Sequence, residues 1–343
     1  MPTLPTVPAA GTDVATLFPP AAAAQLRAWA DRHQVDLTVT GHTAVRPSRT
    51  QLHPGTWAVA GRPAGRCVVD PDLTRALLDN VPARLGAPTF TLPAAAAAAA
   101  ATVLAGYADR ILADEGKLSL AKLSGGAVLL RHASYLDGVV TNLSAHAIDT
   151  PAGVWDAAAH AARRDGTVAD IGACTALSNH LGGAILAVTG DGRLLLTRQP
   201  SRSAVSAGLL TATATGSFDT DDLAEVGFAQ LSQVALGREL EEEAGIGGGL
   251  ASYHPLGVVR DLNRAGKPDV LLFATLPADI RFGDGDRDGE EQLFLPSDGR
   301  SAASMLRQVA ARSDAALPLS AACLLAADAL EAGKLPRPGQ LAA

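Results

Sequence analysis

A chain of 343 residues with 48% hydrophobic residues and a net charge of −7 is long enough for one large domain or two modest ones, with a sizeable core. An acidic balance without a basic stripe argues against nucleic acid as a partner, because grip on that backbone comes from neutralising phosphates. Cys67, Cys174 and Cys323 are far apart and show no disulfide framework or zinc-ligand spacing. The lack of a charged-then-apolar leader or an 18-residue apolar run predicts a cytoplasmic protein without membrane contact.

Residues 1–18, with Pro2, Pro5, Pro8 and Gly11, read as a flexible leader. A helix is expected over 21–32, strands near 37–40 and 57–59, and a helix over 71–80 that Pro82 ends. Pro93 followed by eight alanines predicts a helix running to Leu112 or beyond, since alanine loses no side-chain entropy and proline suits the first turn. Val103, Leu104, Tyr107, Ile111 and Leu112 would continue it amphipathically. Strands at 126–132 and 138–142 and a helix at 155–164 follow.

From about Leu177 the pattern changes to longer strands and tight turns. Strands at 184–189 and 193–198 flank Gly190-Asp191-Gly192, a hairpin signal. A second strand pair, 256–260 and 270–276, is joined by a polar loop. Between the pairs lies a helix beginning near Phe228, and helices at 302–312 and 319–332 close the chain. The division is a leader over 1–18, an α/β region of unassigned role over 19–175, and a second domain over 176–335. A lid, a homodimer contact or structural support are the roles open to the N-terminal part.

The most informative run is Arg238-Glu-Leu-Glu-Glu-Glu-Ala-Gly-Ile246. In a helix Glu239, Glu242 and Glu243 fall in one arc about 100° wide. They would repel one another close to a helix C-terminus, where the dipole prefers cations. A merely solvated helix would mix its signs, yet residues 239–243 hold four Glu and no Lys. A dication relieves the repulsion, and Mg²⁺ suits a few carboxylate oxygens with substrate phosphates completing its shell. Arg238 is four residues before Glu242 and can orient it. Gly245 suits a left-handed cap, and Ile246 returns the chain to a core. Ala229, Leu236, Leu240 and Ala244 share the other face, so the helix should pack on a sheet with its carboxylates outward.

This run resembles the second half of the Nudix box, the signature of the Nudix hydrolase superfamily. That box reads Gly, five residues, Glu, seven residues, then Arg-Glu-apolar-x-Glu-Glu-x-Gly-apolar. Every specified position from Arg238 to Ile246 matches. Ala224 stands where the box has Gly, Gln230 where it has Glu, and residues 213–219 replace the usual Pro-Gly-Gly loop. Residues 126–131, Ser134-Tyr135-Leu-Asp137-Gly138, Thr141-Asn142-Leu-Ser144 and Leu181-Gly182 are similar to segments of the UDP-glucose/UDP-galactose diphosphatase branch.

The resemblance implies an α+β fold: a Nudix-type α/β/α sandwich with a mixed sheet, preceded by an N-terminal α/β extension. It implies Mg²⁺, or Mn²⁺, held by Glu239, Glu242 and Glu243 beside Arg238. The implied reaction is cleavage of the diphosphate bond of a nucleoside diphosphate linked to another moiety, with a UDP-sugar as first guess. The general base would be Glu239 or a carboxylate outside the helix. The family often adds an acidic residue from a later loop, and Glu290 and Glu291 are the candidates. Arg198 and Arg260, each ending an expected strand, are candidates for substrate phosphates. The alternative is a catalytically weak scaffold that binds a nucleotide or protein partner in a regulatory role, which Ala224, Gln230 and the altered loop favour. Residues 284–289 match the first six positions of an EF-hand loop, but Leu295 stands where its bidentate Glu belongs, so a plain polar loop is expected.

Overall fold

The computed structural model describes residues 7–41, 44–56, 59–60, 67–108, 110, 113–144, 146–223, 226–285 and 287–338. In chain order its first half comprises α1 (Pro20–His33), β1 (Ala44–Pro47), β2 (Val59–Ala60), β3 (Cys67–Val69), α2 (Pro71–Leu78), β4 (Pro82–Leu85), α3 (Ala94–Ala105), β5 (Gly116–Ser124), β6 (Ala127–Ser134), α4 (Tyr135–Val140), β7 (His146–Thr150), β8 (Gly153–Trp155) and α5 (Ala157–Ala161). The second half comprises β9 (Gly182–Thr189), β10 (Arg193–Arg198), β11 (Leu210–Thr211), β12 (Ala214–Ser217), β13 (Val226–Gly227), α6 (Phe228–Ala244), β14 (Ser252–Asp261), β15 (Lys267–Leu276), β16 (Gly289–Phe294), α7 (Gly299–Ala310) and α8 (Leu317–Glu331).

The largest sheet runs β11-β10-β9-β15-β14-β3-β2, with β12 also pairing β9 and β16 pairing β10. It is mixed, because β9 and β15 are parallel while their other neighbours are antiparallel. Both central strands are buried along their whole length, which explains why they read as unbroken apolar runs rather than alternating ones. Ile185, Ala187, Val270, Leu272 and Ala274 face a core shared with α6 and α2. Leu186, Val188, Leu271 and Phe273 face a second core under α7 and α8. Helices on both sides of one mixed sheet make the expected α/β/α sandwich.

A four-stranded sheet, β13-β4-β6-β5, closes over the α6 side and contributes Ala83, Leu118, Leu120, Val128 and Leu130 to its core. A third core gathers Leu26, Trp29, Leu104, Val139 and Trp155 from the N-terminal helices and the small sheet β1-β7-β8. Strands β2 and β3 come from upstream of residue 176, yet they extend the largest sheet through pairing with β14.

Several local expectations are corrected. Residues 138–142 were expected to be a strand, but they fall in or just after helix α4. Ser134 caps the Asp137 N–H while the Asp137 carboxylate accepts from the Ser134 N–H. That reciprocal cap starts a helix and outweighs the strand preference of Val139 and Val140. Helix α3 stops at Ala105 with Gly106 as its cap, and Ile111 and Leu112 lie outside the described residues. The helix expected over 155–164 shrinks to α5, with Trp155 ending β8. Near 37–40 only Thr38 bridges, to Asp13. Trp57 and Ala58 are outside the described residues, as are residues 1–6 of the expected leader. Within the rest of that leader Val14, Ala15 and Phe18 are buried, while Ala9, Ala10 and Gly11 are exposed. Among the described residues no helix is long and apolar enough to cross a membrane.

Candidate functional site

Helix α6 is fixed at both ends. At its start Gln230 Oε1 accepts the Gly227 N–H at 3.1 Å, and Asn80 Oδ1 accepts the Ala229 N–H at 3.0 Å, satisfying donors that a helix start leaves free. Gln230, which stands where the box has Glu, therefore serves as a cap; Ala224 is outside the described residues. At the other end Gly245 adopts φ 65°, ψ 26° and donates to the Glu241 and Leu240 carbonyls, as the sequence implied. Ile246 is buried. The Arg287 guanidinium donates to the Glu243 carbonyl at 3.0 Å and the Gly283 carbonyl at 2.6 Å. A cation here complements the negative end of the helix. The 284–289 segment, whose Asp286 is outside the described residues, thus supplies a clamp on α6.

Arg238 is the hub of the acidic face. It donates to Glu239 and Glu242 at 3.0 Å, to both Asp222 oxygens at 3.1 Å and to the Ser217 carbonyl at 3.0 Å, and it pairs with Asp219 at 3.1 Å. Asp219 also pairs with the buried Lys117. The three glutamates are not equivalent. The Glu242 side chain is 56% exposed, whereas that of Glu239 is 12% exposed. Burial pushes the Glu239 carboxyl up to about 8, with Glu243 and Glu242 adding to the effect and Arg238 opposing it. Glu239 lies against the backbone of β12: a Cβ on Gly216 would sit 1.9 Å from the Glu239 carboxyl carbon. The expected outward arrangement thus holds for Glu242 but not for Glu239. Glu243 accepts from the Thr215 N–H at 2.7 Å and from Gln199 at 3.1 Å.

Beside Glu243 opens a cavity of about 280 Å³, whose lining includes Gln199, Thr215, Gly216, Tyr135, His180 and Lys267. His180 is 1% exposed, and its Nδ1 has no hydrogen-bond partner among the described residues. Burial drives its pKa well below the usual value, Lys267, Lys117 and Arg264 push the same way, and Asp269 opposes. The unfolded chain therefore takes up this proton at a higher pH than the folded one. The stability contributed is complete above about pH 6.5 and is lost progressively as the pH falls from there toward about 5.5. Urea midpoints across that range should fall more steeply in the parent chain than in His180→Gln. Equal slopes would refute the assignment.

The remaining sequence candidates are dispersed. Arg198 donates to the Gly208 carbonyl and pairs with Asp314 at 3.0 Å. Arg260, expected near substrate, is fully buried; it bonds to the Ala169 and Gly266 carbonyls and pairs with Asp70 at 3.4 Å. Strand β14 ends one residue later, at Asp261, and its last three residues pair with β3. Glu290 and Glu291 lie within β16 rather than ahead of it. Glu290 approaches Arg287 at 4.0 Å, while Glu291 pairs with Arg312. None of these four residues lines the cavity.

The sequence reading missed Gln199, Thr215, Gly216, Asp219 and Asp222. For Thr215, Gly216 and Asp219 the available signal was the altered loop over 213–219, which reads as a departure from the Nudix box rather than a contributor; Gln199 and Asp222 lie outside it.

Among the described residues no three carboxylate, imidazole or thiolate side chains converge closely enough to hold a metal as they stand. The donor chemistry nevertheless fits a hard dication: carboxylate oxygens crowd one helix face, Arg238 pairs with Glu239 and Glu242 there, and the missing Cβ of Gly216 gives Glu239 its seat.

No protein-family model and no curated protein matches the chain. Among solved structures, it is similar to a MutT Nudix hydrolase from Burkholderia pseudomallei (26% identity, TM-score 0.25, 34% of this chain and 86% of that one). It is also similar to a Nudix-family hydrolase from Clostridium perfringens (13%, TM-score 0.30, 45% and 99%) and to an Ap4A hydrolase from C. elegans (15%, TM-score 0.30, 45% and 98%). The resemblance carried by Arg238–Ile246 is to Nudix hydrolases, and the solved structures similar to this chain include proteins of that name.

Proposed function

We propose that the chain is a Mg²⁺-dependent hydrolase of the Nudix type. It would cleave the diphosphate of a nucleoside diphosphate joined to another moiety, with UDP-sugars as the first substrates to try. The observation that carries the reading is the face of α6, where Glu239, Glu242 and Glu243 crowd together beside a cavity that Glu243 itself lines. Glu239 and Glu243 would be the principal holders of the metal and Glu242 a lesser one, in keeping with their burial. When bound, the dication supplies neutralisation of the diphosphate oxygens and acidification of water.

The protein's own groups set the geometry. Thr215 and Gln199 fix Glu243, Gly216 seats Glu239, and Arg287 anchors the helix end from which Glu243 projects. Arg238 neutralises the cluster in the meantime and ties it to the Asp219–Asp222 turn.

Isothermal titration with Mg²⁺ and Mn²⁺, paired with product assays on UDP-glucose and ADP-ribose, tests the reading. Uptake of the ion and metal-dependent release of a nucleoside monophosphate are expected. No uptake with or without nucleotide would remove the reading. A second reading, a nucleotide-binding scaffold with weak turnover, is favoured by the hydrogen bonds that already occupy Glu243 and by the counter-ion role of Arg238. Binding without turnover would select it.

Gly216→Ala gives a sharper check. Its methyl group must displace the Glu239 carboxylate, and a shift of this size at a catalytic group lowers turnover by on the order of 10²-fold. The melting temperature should change little, because the displaced atoms end a flexible side chain. Undiminished turnover in this variant would mean that Glu239 does not act from its seat.

A further inference from the structure

We infer that the part of the cavity lined by Lys267, Asp269 and Tyr135 is a recognition subsite for an uncharged, hydroxyl-rich group such as a sugar ring. This rests on the hydrolase reading only for placing the phosphates toward Glu243.

The charges of this wall are already balanced. Lys267 pairs with Asp269 at 2.6 Å, and Arg264 spans Asp269 at 2.6 Å and Asp261 at 2.5 Å. Two cations thus meet two carboxylates, and Lys267, Asp261 and Asp269 are each 4% exposed. A phosphate or carboxylate would find no unmatched positive charge here. An apolar group would also fit poorly, because the wall retains hydrogen-bonding capacity that such a group would desolvate.

That capacity is of both kinds. Lys267 has N–H donors beyond the one given to Asp269, and each Asp269 oxygen has a further lone pair. Tyr135 also lines the cavity, and its hydroxyl can both donate and accept. Interleaved donors and acceptors with no net charge match hydroxyl groups, which act as both. A flat base is less well matched. The Tyr135 and His180 rings lie 5.9 Å apart at 47° and offer no parallel slot for one. Tyr135 also gives the N-terminal region a direct part in the site.

The test uses fragments that contain no diphosphate, so binding is read without turnover. Glucose 1-phosphate, methyl phosphate and uridine are titrated in Mg²⁺ against the intact chain and against Tyr135→Phe, which keeps the ring and removes only the hydroxyl. Glucose 1-phosphate should bind about 10-fold more tightly than methyl phosphate, and Tyr135→Phe should erase most of that preference. Equal affinities for the two phosphates, or a Tyr135→Phe loss confined to uridine, would overturn the inference. The sugar preference without hydrolysis of any nucleoside diphosphate would leave the subsite standing and remove the hydrolase reading instead.

Discussion

Glu243→Gln is expected to lower Mg²⁺-dependent turnover of a nucleoside diphosphate derivative by on the order of 10³-fold, since charge stabilisation by a bound metal contributes several kcal/mol to such a step. Glu239→Gln should act with similar strength. Glu242→Gln should cost far less, about 10-fold, because that side chain is mostly in solvent and leans on Arg238. The ranking distinguishes this site from any acidic helix. A generic electrostatic field would make the three substitutions equivalent, and so would a general loss of folding. Initial rates at saturating metal, with melting curves for each variant, decide the matter. Three equal losses would dissolve the proposed division of roles.

Arg260→Ala carries the largest expected effect on stability. The guanidinium is fully buried and serves Asp70 and the Ala169 and Gly266 carbonyls at once. Removing it strands a carboxylate that is 4% exposed. Breaking a buried pair from one side costs about 3–5 kcal/mol. Denaturant unfolding should show that loss, while the KM of the remaining folded protein for the proposed reaction should stay close to the parent's. A raised KM with intact stability would restore the substrate-binding role that its sequence position suggested.

Legibility followed physical range. Gly245 could be read as a cap, and Ala229, Leu236, Leu240 and Ala244 as the packed face, because these depend on neighbours within a turn or two of the same helix. The strands β9, β10, β14 and β15 were likewise visible, since apolar runs bounded by turn residues need no knowledge of partners. What could not be read depended on distant segments. Arg260 sits near a strand end, and its burial depends on partners as distant in the chain as Asp70 and Ala169. The burial of Glu239 depends on an absent side chain at Gly216, which no helical pattern can report. In the case of α4, the Ser134-x-x-Asp137 signal was present, and the β-branched pair that followed obscured it.

The addition of β3 to β14 has a practical consequence. A shortened polypeptide starting at residue 176 would bare the backbone edge of β14 around Val259–Asp261 and remove the α2 cover over neighbouring Val258. It would also remove Asp70 and the Ala169 carbonyl from the Arg260 guanidinium, leaving it the Gly266 carbonyl. Unpaired strand edges recruit other copies, so such a fragment should self-associate rather than behave as an independent folding unit. The two halves of this protein are joint owners of one sheet, and cutting between them would divide a structural unit rather than release a module.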